Sequence, residues 1–259
     1  MFIRRIVGSL FFLFLLACGA SNAPDHPSSH GVPGPVRSPV GFVVDGEGGP
    51  LEVRLAEVNA AADESVAALA QARLAALLEE AGGQVELVFT GAERDRYGRA
   101  PVHAEYAAPG GRVWIQGVMV SEGLLVVASR ADNRARAGAL LALEQQAREA
   151  REGGWGSGAF AVRAPDPNAL AQVLDSFQIV EGRVIDVGSA RSGRLYINFG
   201  LDWRTDFTVS IREDALERFE GIDLAGLEGR TIRVRGWLYR ENGPMMAIDH
   251  PEAIEVLGD

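Results

Sequence analysis

Two arginines occupy the segments of this chain that are best suited to chemistry. Arg54 lies in Val-Arg-Leu-Ala-Glu-Val-Asn, and Arg99 closes the segment Asp-Arg-Tyr-Gly-Arg. A guanidinium group is planar and can make two parallel hydrogen bonds to one phosphate, so two arginines at one site could clamp that anion. The alternative is structural, with Arg99 paired to Asp95 or Glu57 and Arg54 paired in the same way. The sequence leaves both interpretations open.

Further features around these arginines resemble a known family. The Asp-Arg-Tyr-Gly-Arg segment is followed by Val-Trp-Ile-Gln, by a predicted helix and by Trp155. Over about residues 40–156 the chain resembles the thermonuclease, or staphylococcal-nuclease-like, family. The resemblance implies an OB-fold barrel that hydrolyses nucleic acids with Ca²⁺, in which Arg54 and Arg99 clamp the phosphate.

The acidic residues that such a reaction needs are altered. Hydrolysis of a phosphodiester by this route needs a cation held by carboxylates and a base that activates water. By the resemblance, Asn59 stands at a calcium-ligand position, Ala62 at the base position, and Glu47 in a turn where the family has aspartate. An amide carries no charge and a methyl group takes no proton, so we predict a catalytically degraded member. Asp63 or Glu64 could replace the lost acids, although acids at the start of a helix are typical of capping.

The overall charge of the chain does not favour a nucleic-acid partner. The formal net charge is −10, and all 25 basic residues are arginine. Non-specific binding to a polyanion depends on contacts from lysine and arginine to phosphate, which an acidic chain opposes unless its arginines cluster locally.

The N-terminal residues predict export and a lipid anchor. Arg4 and Arg5 precede an apolar run of about a dozen residues, which is typical of a signal peptide and too short to span a bilayer. Cys18 follows Leu-Leu-Ala and resembles a bacterial lipobox, which implies removal of residues 1–17, lipidation of Cys18 and a membrane as partner. A chance cysteine in a signal that is cut elsewhere is the alternative. Gly19 is not the aspartate linked with inner-membrane retention, so we predict a periplasm-facing cell-envelope protein of the outer membrane.

The remaining chain divides into a tether, two β-rich domains and a linker. We predict a flexible tether over residues 18–39, a thermonuclease-like barrel over 40–156, a linker over 157–170 and a second OB-like barrel over 171–259. The strands predicted for the first barrel are 42–45, 51–58, 85–89, 100–106 and 112–115, and those predicted for the second are 177–187, 194–199, 207–211, 231–239 and 254–257. Helices are predicted over residues 63–81 and 133–152. The predicted fold class is therefore mainly β with helices (α+β), a staphylococcal-nuclease-like OB barrel followed by a second OB-fold-like barrel.

One predicted strand of the second barrel has a face that combines charge with aromatic rings. Residues 231–239 alternate with a period of two, and one face carries Arg233, Arg235, Trp237 and Tyr239, which Tyr196 and Trp203 could extend. Rings that stack on bases and arginines that meet phosphates are typical of single-stranded nucleic-acid binding. The alternative is that this face packs against the first domain, with its arginines paired to acidic residues.

Three functions remain open at this point. The leading hypothesis is a degraded nuclease homologue whose barrel mouth, with Arg54 and Arg99, binds nucleic acid, another phosphate ligand or an envelope protein. The second is a weak nuclease whose cofactor is Ca²⁺ and whose acids are Glu47, Asp63 or Glu64. The third is a structural envelope protein whose two barrels serve protein–protein contacts. We interpret His103 as a residue of the barrel surface.

Overall fold

The structure is a computed structural model that describes residues 28–46 and 48–258. It confirms a mixed α+β fold in which the first sheet closes into a five-stranded, OB-like barrel. The strands of the first domain are β1 (Ser28–Ser38), β2 (Gly41–Gly46), β3 (Gly49–Leu55), β4 (Val58–Ala60), β5 (Val85–Phe89), β6 (Ala100–Ala108), β7 (Gly111–Trp114) and β8 (Leu125–Val127). The barrel runs β1-β2-β3-β6-β5 and returns to β1, with β3 and β6 parallel and the other pairs antiparallel.

The strand that closes the barrel corrects one prediction. The flexible tether predicted up to residue 39 is wrong for residues 28–38, because β1 pairs with β5 through residues 28–31 and with β2 beyond them. Pro33 and Pro35 make this strand hard to predict from the sequence, because proline is depleted in paired strands. The structure tolerates them because the β1–β2 register shifts after Pro33 and because β5 does not pair with this part of β1.

Gly31 provides a test of β1 as a barrel strand. We expect Gly31→Ala to lower the free energy of unfolding by about 1–3 kcal/mol, because added atoms in a packed interior force their neighbours apart. A Cβ atom at Gly31 would lie 2.2 Å from Cγ1 of Val44 and 2.9 Å from the carbonyl oxygen of Asp45. Gly34→Ala is the control on the same strand, since its Cβ atom would approach nothing closer than 3.4 Å. Equal, small effects of both substitutions in urea unfolding would contradict the assignment.

The helices of the first domain lie outside the barrel strands. They are α1 (Glu64–Glu80), α2 (Ile115–Ser121), α3 (Ala137–Ala150) and α4 (Gly153–Ser157). Asp63 caps α1, since its carboxylate accepts the backbone N–H groups of Ser65 at 3.0 Å and Val66 at 3.1 Å. The predicted start of α3 at Asn133 is wrong, because Asn133 bridges to Arg130 and the helix begins only after Arg136.

The second domain repeats the strand order of the first. Its elements are β9 (Val162–Arg163), α5 (Pro167–Leu170), β10 (Ser176–Arg183), β11 (Asp186–Ser189), β12 (Leu195–Asn198), β13 (Thr208–Ile211), 3₁₀ helices at Glu213–Phe219, Ala225–Leu227 and Pro251–Ala253, β14 (Thr231–Glu241), β15 (Gly243–Ile248) and β16 (Ile254–Val256). β10 and β11 follow one another directly and form a bent first strand. From it the path runs through β12, β13, β15 and β14 and returns to β10, with β13 and β15 parallel. The OB-like order predicted for this domain is therefore present.

The fifth strand of the second barrel differs from the prediction. The predicted strand 254–257 pairs only with β14, as β16, while β15 occupies the barrel position between β13 and β14. Residues 243–246 of β15 are all buried, so this strand lacks the alternation of polar and apolar residues that predicts a half-exposed strand.

The two barrels pack against each other. The predicted linker 157–170 is ordered, because β9 pairs with β10 and Leu170 enters the second core. An apolar cluster joins the domains and contains Val126, Ala147, Trp155, Phe160 and Ile179. The second barrel is thereby fixed on α3 and β8 of the first.

The predictions for the N-terminus lie outside the described residues. These are the signal peptide over residues 1–17, the lipidated Cys18 and the tether up to residue 27. Within the described part, no helix has the length and apolar character needed to cross a bilayer.

Candidate functional site

Arg99 is held by a turn that its own segment builds. Oδ1 of Asp95 accepts the backbone N–H groups of Tyr97 and Arg99 at 2.8 and 3.0 Å, and Gly98 takes a φ of 81°, which glycine adopts without strain. Oδ2 of Asp95 accepts hydrogen bonds from Nε and Nη2 of Arg99 at 2.9 and 2.7 Å. Burial raises the pKa of Asp95, but the hydrogen bonds from Arg99 outweigh burial and lower that pKa. For Arg99, the structure therefore shows the predicted ion pair with Asp95.

Arg54 has a different set of partners. Its Nη1 donates to the carbonyl oxygen of Leu55 at 3.0 Å, and its Nη2 donates to the carbonyl oxygen of Val58 at 2.8 Å and to Oδ1 of Asn59 at 2.7 Å. These acceptors are neutral, and Arg54 is bound to no carboxylate among the described residues. The alternative in which Arg54 pairs with Asp95 or Glu57 is therefore not what the described residues show.

The two arginines meet at one end of the first barrel, which we call the arginine site. The register partner of Arg54 on β6 is Pro101, two residues after Arg99. Burial, with a smaller effect from the charges of Arg99 and Arg130, lowers the pKa of Arg54 to about 10, while the charge of Asp95 opposes them. Arg54 still carries its proton at neutral pH, so the arginine site holds a half-buried cation. No carboxylate of the described residues is hydrogen-bonded to it, and Asp95 acts on it only through its charge.

The resemblance assigns Ca²⁺ binding and water activation to positions whose side chains in this protein lack a free carboxylate or lie outside the described residues. Asn59 already accepts a hydrogen bond from Arg54, and the exposed Ala62 has no group that could take a proton. Asp63 is engaged as the cap of α1, and Glu47 lies outside the described residues. Among the described residues, no three His, Cys, Asp or Glu side chains form a group that could hold a metal ion.

A buried polar network next to the arginine site was not predicted. His103, interpreted above as a surface residue, is only 1% exposed, and its Nε2 lies 3.0 Å from Oε1 of Glu57. Glu57 also accepts the backbone N–H of Arg136 at 3.2 Å, and the Nδ1 of His103 accepts the indole N–H of Trp114 at 3.3 Å. The sequence gives little indication of this network, because Glu57 lies in the turn between β3 and β4, His103 lies on β6, and both have apolar neighbours in sequence.

The predicted nucleic-acid face of β14 is occupied by the protein itself. Arg233 donates to Glu181 at 2.7 Å and to Glu255 at 3.1 Å, and Arg235 donates to Glu255 at 2.6 Å. Arg235 also forms two hydrogen bonds with Glu144 of α3, at 2.9 and 3.1 Å, and so joins the two domains. The nucleic-acid prediction is therefore wrong for both arginines, and the alternative of domain packing is what the structure shows.

The two aromatic residues of that face have different environments. Trp237 is 56% exposed, whereas the hydroxyl of Tyr239 donates to Glu241 at 3.3 Å and accepts from Arg194 at 3.3 Å. Without the two arginines, Trp237 and Tyr239 do not form a charged binding surface.

A second chain of hydrogen bonds crosses the domain interface. Oγ of Ser129 lies 2.9 Å from Nε2 of His250, whose Nδ1 lies 2.8 Å from Oδ1 of Asp249. The order serine, histidine, aspartate is that of a hydrolase triad, which also needs backbone N–H groups free to bind an oxyanion. The N–H groups on either side of Ser129 are used internally, by Ala128 to Glu57 and by Arg130 to Asn133. We therefore interpret the hydrogen bonds of Ser129, His250 and Asp249 as a structural contact between the two domains.

Comparison with known proteins adds no family to this description. No protein-family model and no curated protein sequence matches this chain.

Proposed function

We propose that the first barrel is a non-hydrolytic domain that binds a phosphate group at the arginine site. One observation carries the proposal, namely that Arg54 is a half-buried cation whose acceptors are all neutral. Burying a charge costs free energy, which the charge of Asp95, itself paired with Arg99, offsets only in part. A bound phosphate adds negative charge at Arg54 through charge-assisted hydrogen bonds. Arg99, oriented by Asp95, lies beside it to contact the same anion.

The same geometry supports binding rather than cleavage. A nuclease of the predicted type would need an acid at position 59 to ligate Ca²⁺ and a base at position 62. Asn59 instead serves as an acceptor for Arg54, and Ala62 offers no acid–base group. Within this proposal the chain is a degraded homologue of the thermonuclease family, anchored in the cell envelope through Cys18.

A structural protein of the envelope is the second candidate. It is favoured by the ion pair of Arg99 with Asp95 and by the polar contacts that join the two barrels. If the pair of Asp95 and Arg99 acts only to hold the turn, and Arg54 only to hold residues 55–59, the arginine site binds no anion.

An anisotropy and cleavage experiment tests the proposal. The purified protein is titrated into a fluorescein-labelled, quenched oligothymidylate at low salt, with Ca²⁺ or with a chelator. We expect binding without release of fluorescence in either condition. Asn59→Asp is expected to weaken binding by about tenfold, because a carboxylate beside Arg54 replaces the anion and repels phosphate.

Two further variants sharpen this test. Arg54→Ala is expected to weaken binding at least as much as Asn59→Asp. Arg96→Ala is the matched control, because Arg96 is an exposed arginine of the same turn and should leave affinity nearly unchanged. Equal affinity of all variants would support the structural candidate, and Ca²⁺-dependent cleavage that Arg54→Ala abolishes would support the nuclease.

A further inference from the structure

The second barrel contains a cavity that is separate from the arginine site of the first barrel. It has a volume of about 390 Å³ and opens between strands β12 and β13 and the turn that joins β14 to β15. The side chains that matter for its chemistry are those of Tyr196, Asn198, Trp203, Thr208, Glu241 and Asn242. Barrels of this strand order bind oligonucleotides or oligosaccharides at the face of their second and third strands.

The lining of the cavity includes aromatic rings. Trp203 is 50% exposed although it is a large apolar side chain, and the guanidinium of Arg204 covers its ring at 4.4 Å. The loop that carries Trp203 is folded on itself, since Asp206 accepts the backbone N–H of Asp202 at 2.9 Å. The ring is therefore positioned before any ligand arrives.

The lining also presents polar groups that neighbours orient. Asn198 donates to Asp186 at 3.1 Å and accepts the hydroxyl of Thr208 at 3.2 Å, which fixes the plane of its amide. Glu241 accepts Nη1 of Arg194 at 3.0 Å, and its side chain remains 42% exposed. An amide and a carboxylate held in this way supply both donors and acceptors to hydroxyl groups.

The charges around the cavity select between the two ligand classes. Arg194 and Arg204 contact residues that line the cavity, and Arg191 and Arg240 are next to lining residues in sequence. Four acids lie in contact with its lining or in its loop, namely Asp186, Asp202, Asp206 and Glu241, and Glu241 lines the cavity itself. A phosphodiester chain would meet the carboxylate of Glu241 inside the cavity, which opposes binding. A neutral ligand rich in hydroxyl groups meets no such penalty.

We propose that this cavity binds a neutral saccharide. The apolar face of a sugar ring stacks on the face of Trp203 that Arg204 leaves open. The ring of Tyr196, with Arg194 over it at 5.4 Å, forms another part of the lining. The hydroxyl groups of the sugar donate to Glu241 and exchange hydrogen bonds with the amides of Asn198 and Asn242. The site is independent of the arginine site, which lies in the other barrel.

Calorimetric titration of the purified protein tests this proposal. The probes are chitotetraose, cellotetraose and maltotetraose, each up to millimolar concentration. We expect at least one of them to bind, and Trp203→Ala to weaken that binding by about tenfold or more, because the stacking surface is lost. Asn242→Ala is expected to weaken it less, since it removes one amide at the rim.

A matched control variant distinguishes binding in the cavity from binding at other exposed aromatic rings. Trp237 is as exposed as Trp203 but lies outside the cavity, so Trp237→Ala should bind the saccharide with unchanged affinity. The proposal is overturned if none of the three probes binds, or if Trp237→Ala reduces affinity as much as Trp203→Ala. It is also overturned if oligothymidylate, and not a saccharide, loses affinity in Trp203→Ala.

Discussion

Replacing Arg235 with alanine is expected to lower the free energy of unfolding by about 3–5 kcal/mol. Arg235 and Glu144 have side chains that are 2% and 1% exposed, and two hydrogen bonds join them across the domain interface. Removal of the guanidinium leaves the buried carboxylate of Glu144, which is a residue of α3, with only Arg148 at 4.0 Å as a counter-charge. Urea unfolding, followed by tryptophan fluorescence and by circular dichroism, measures the change.

An exposed ion pair of the same barrel gives the control for Arg235. Arg212 and Asp214 are 70% and 65% exposed, so Arg212→Ala should cost less than about 1 kcal/mol. The double variant Arg235→Met with Glu144→Leu should recover part of the loss, because it removes both buried charges together but leaves the buried N–H of Val127 without its acceptor. An effect of Arg235→Ala as small as that of Arg212→Ala would contradict the role assigned to this pair.

The pair also makes the stability of the two barrels interdependent. Arg235 lies on β14 of the second barrel and Glu144 on α3 of the first, and Glu144 additionally accepts the backbone N–H of Val127 at 2.6 Å. Loss of Arg235 from Glu144 therefore affects the helix and strand of one domain when the change is made in the other. This coupling is the physical reason to regard the second barrel as part of one folded unit with the first.

The elements that follow local rules could be predicted from the sequence. Helix α1 was predicted over residues 63–81 and spans Glu64–Glu80, because its apolar spacing, its Asp63 cap and the glycine pair behind it are local signals. β1 and β15 were missed for equally local reasons. Two prolines interrupt the pattern of β1, and burial of β15 on both faces removes the alternation that identifies a strand.

The candidate sites depended on contacts that sequence spacing does not show. The chemistry of Arg54 and Arg99 as a pair was predicted, but which of them has a carboxylate partner was not. Arg235 and Glu144 are 91 residues apart in sequence, and only the docking of the two barrels brings them together. Glu57 takes a φ of 63°, unusual for a residue other than glycine, and this local conformation accompanies its burial against His103.

His103 should make the protein less stable as the pH falls below about 6.5. Burial lowers the pKa of His103 from its ordinary value of 6.5, and this effect outweighs the opposing effect of Glu57. The indole N–H of Trp114 can only donate, so Nδ1 of His103 is an acceptor and the neutral ring carries its proton on Nε2, toward Glu57. Charging the ring would place a second proton against Trp114.

The sign of the pH effect follows from the lowered pKa of His103. Above about pH 6.5 the ring is neutral in both the folded and the unfolded chain, so its contribution is fully present. As the pH falls through 6.5, the unfolded chain binds a proton that the folded protein does not. The free energy of unfolding should then decrease by up to about 1.4 kcal/mol per pH unit, until the folded protein is protonated as well.

Urea unfolding between pH 5 and pH 8 tests this dependence, because the carboxylates whose pKa values are lowered, such as Asp95 and Glu105, act nearer pH 4. His103→Gln retains a side chain that can donate to Glu57 but does not titrate, so stability should become flat across this window. His30→Gln is the control, since His30 has a side chain that is 55% exposed, and it should keep the slope of the parent protein. A slope that survives in His103→Gln would place the responsible group elsewhere. A parent protein without any slope would mean that Glu57 stabilises the charged ring enough to cancel its burial.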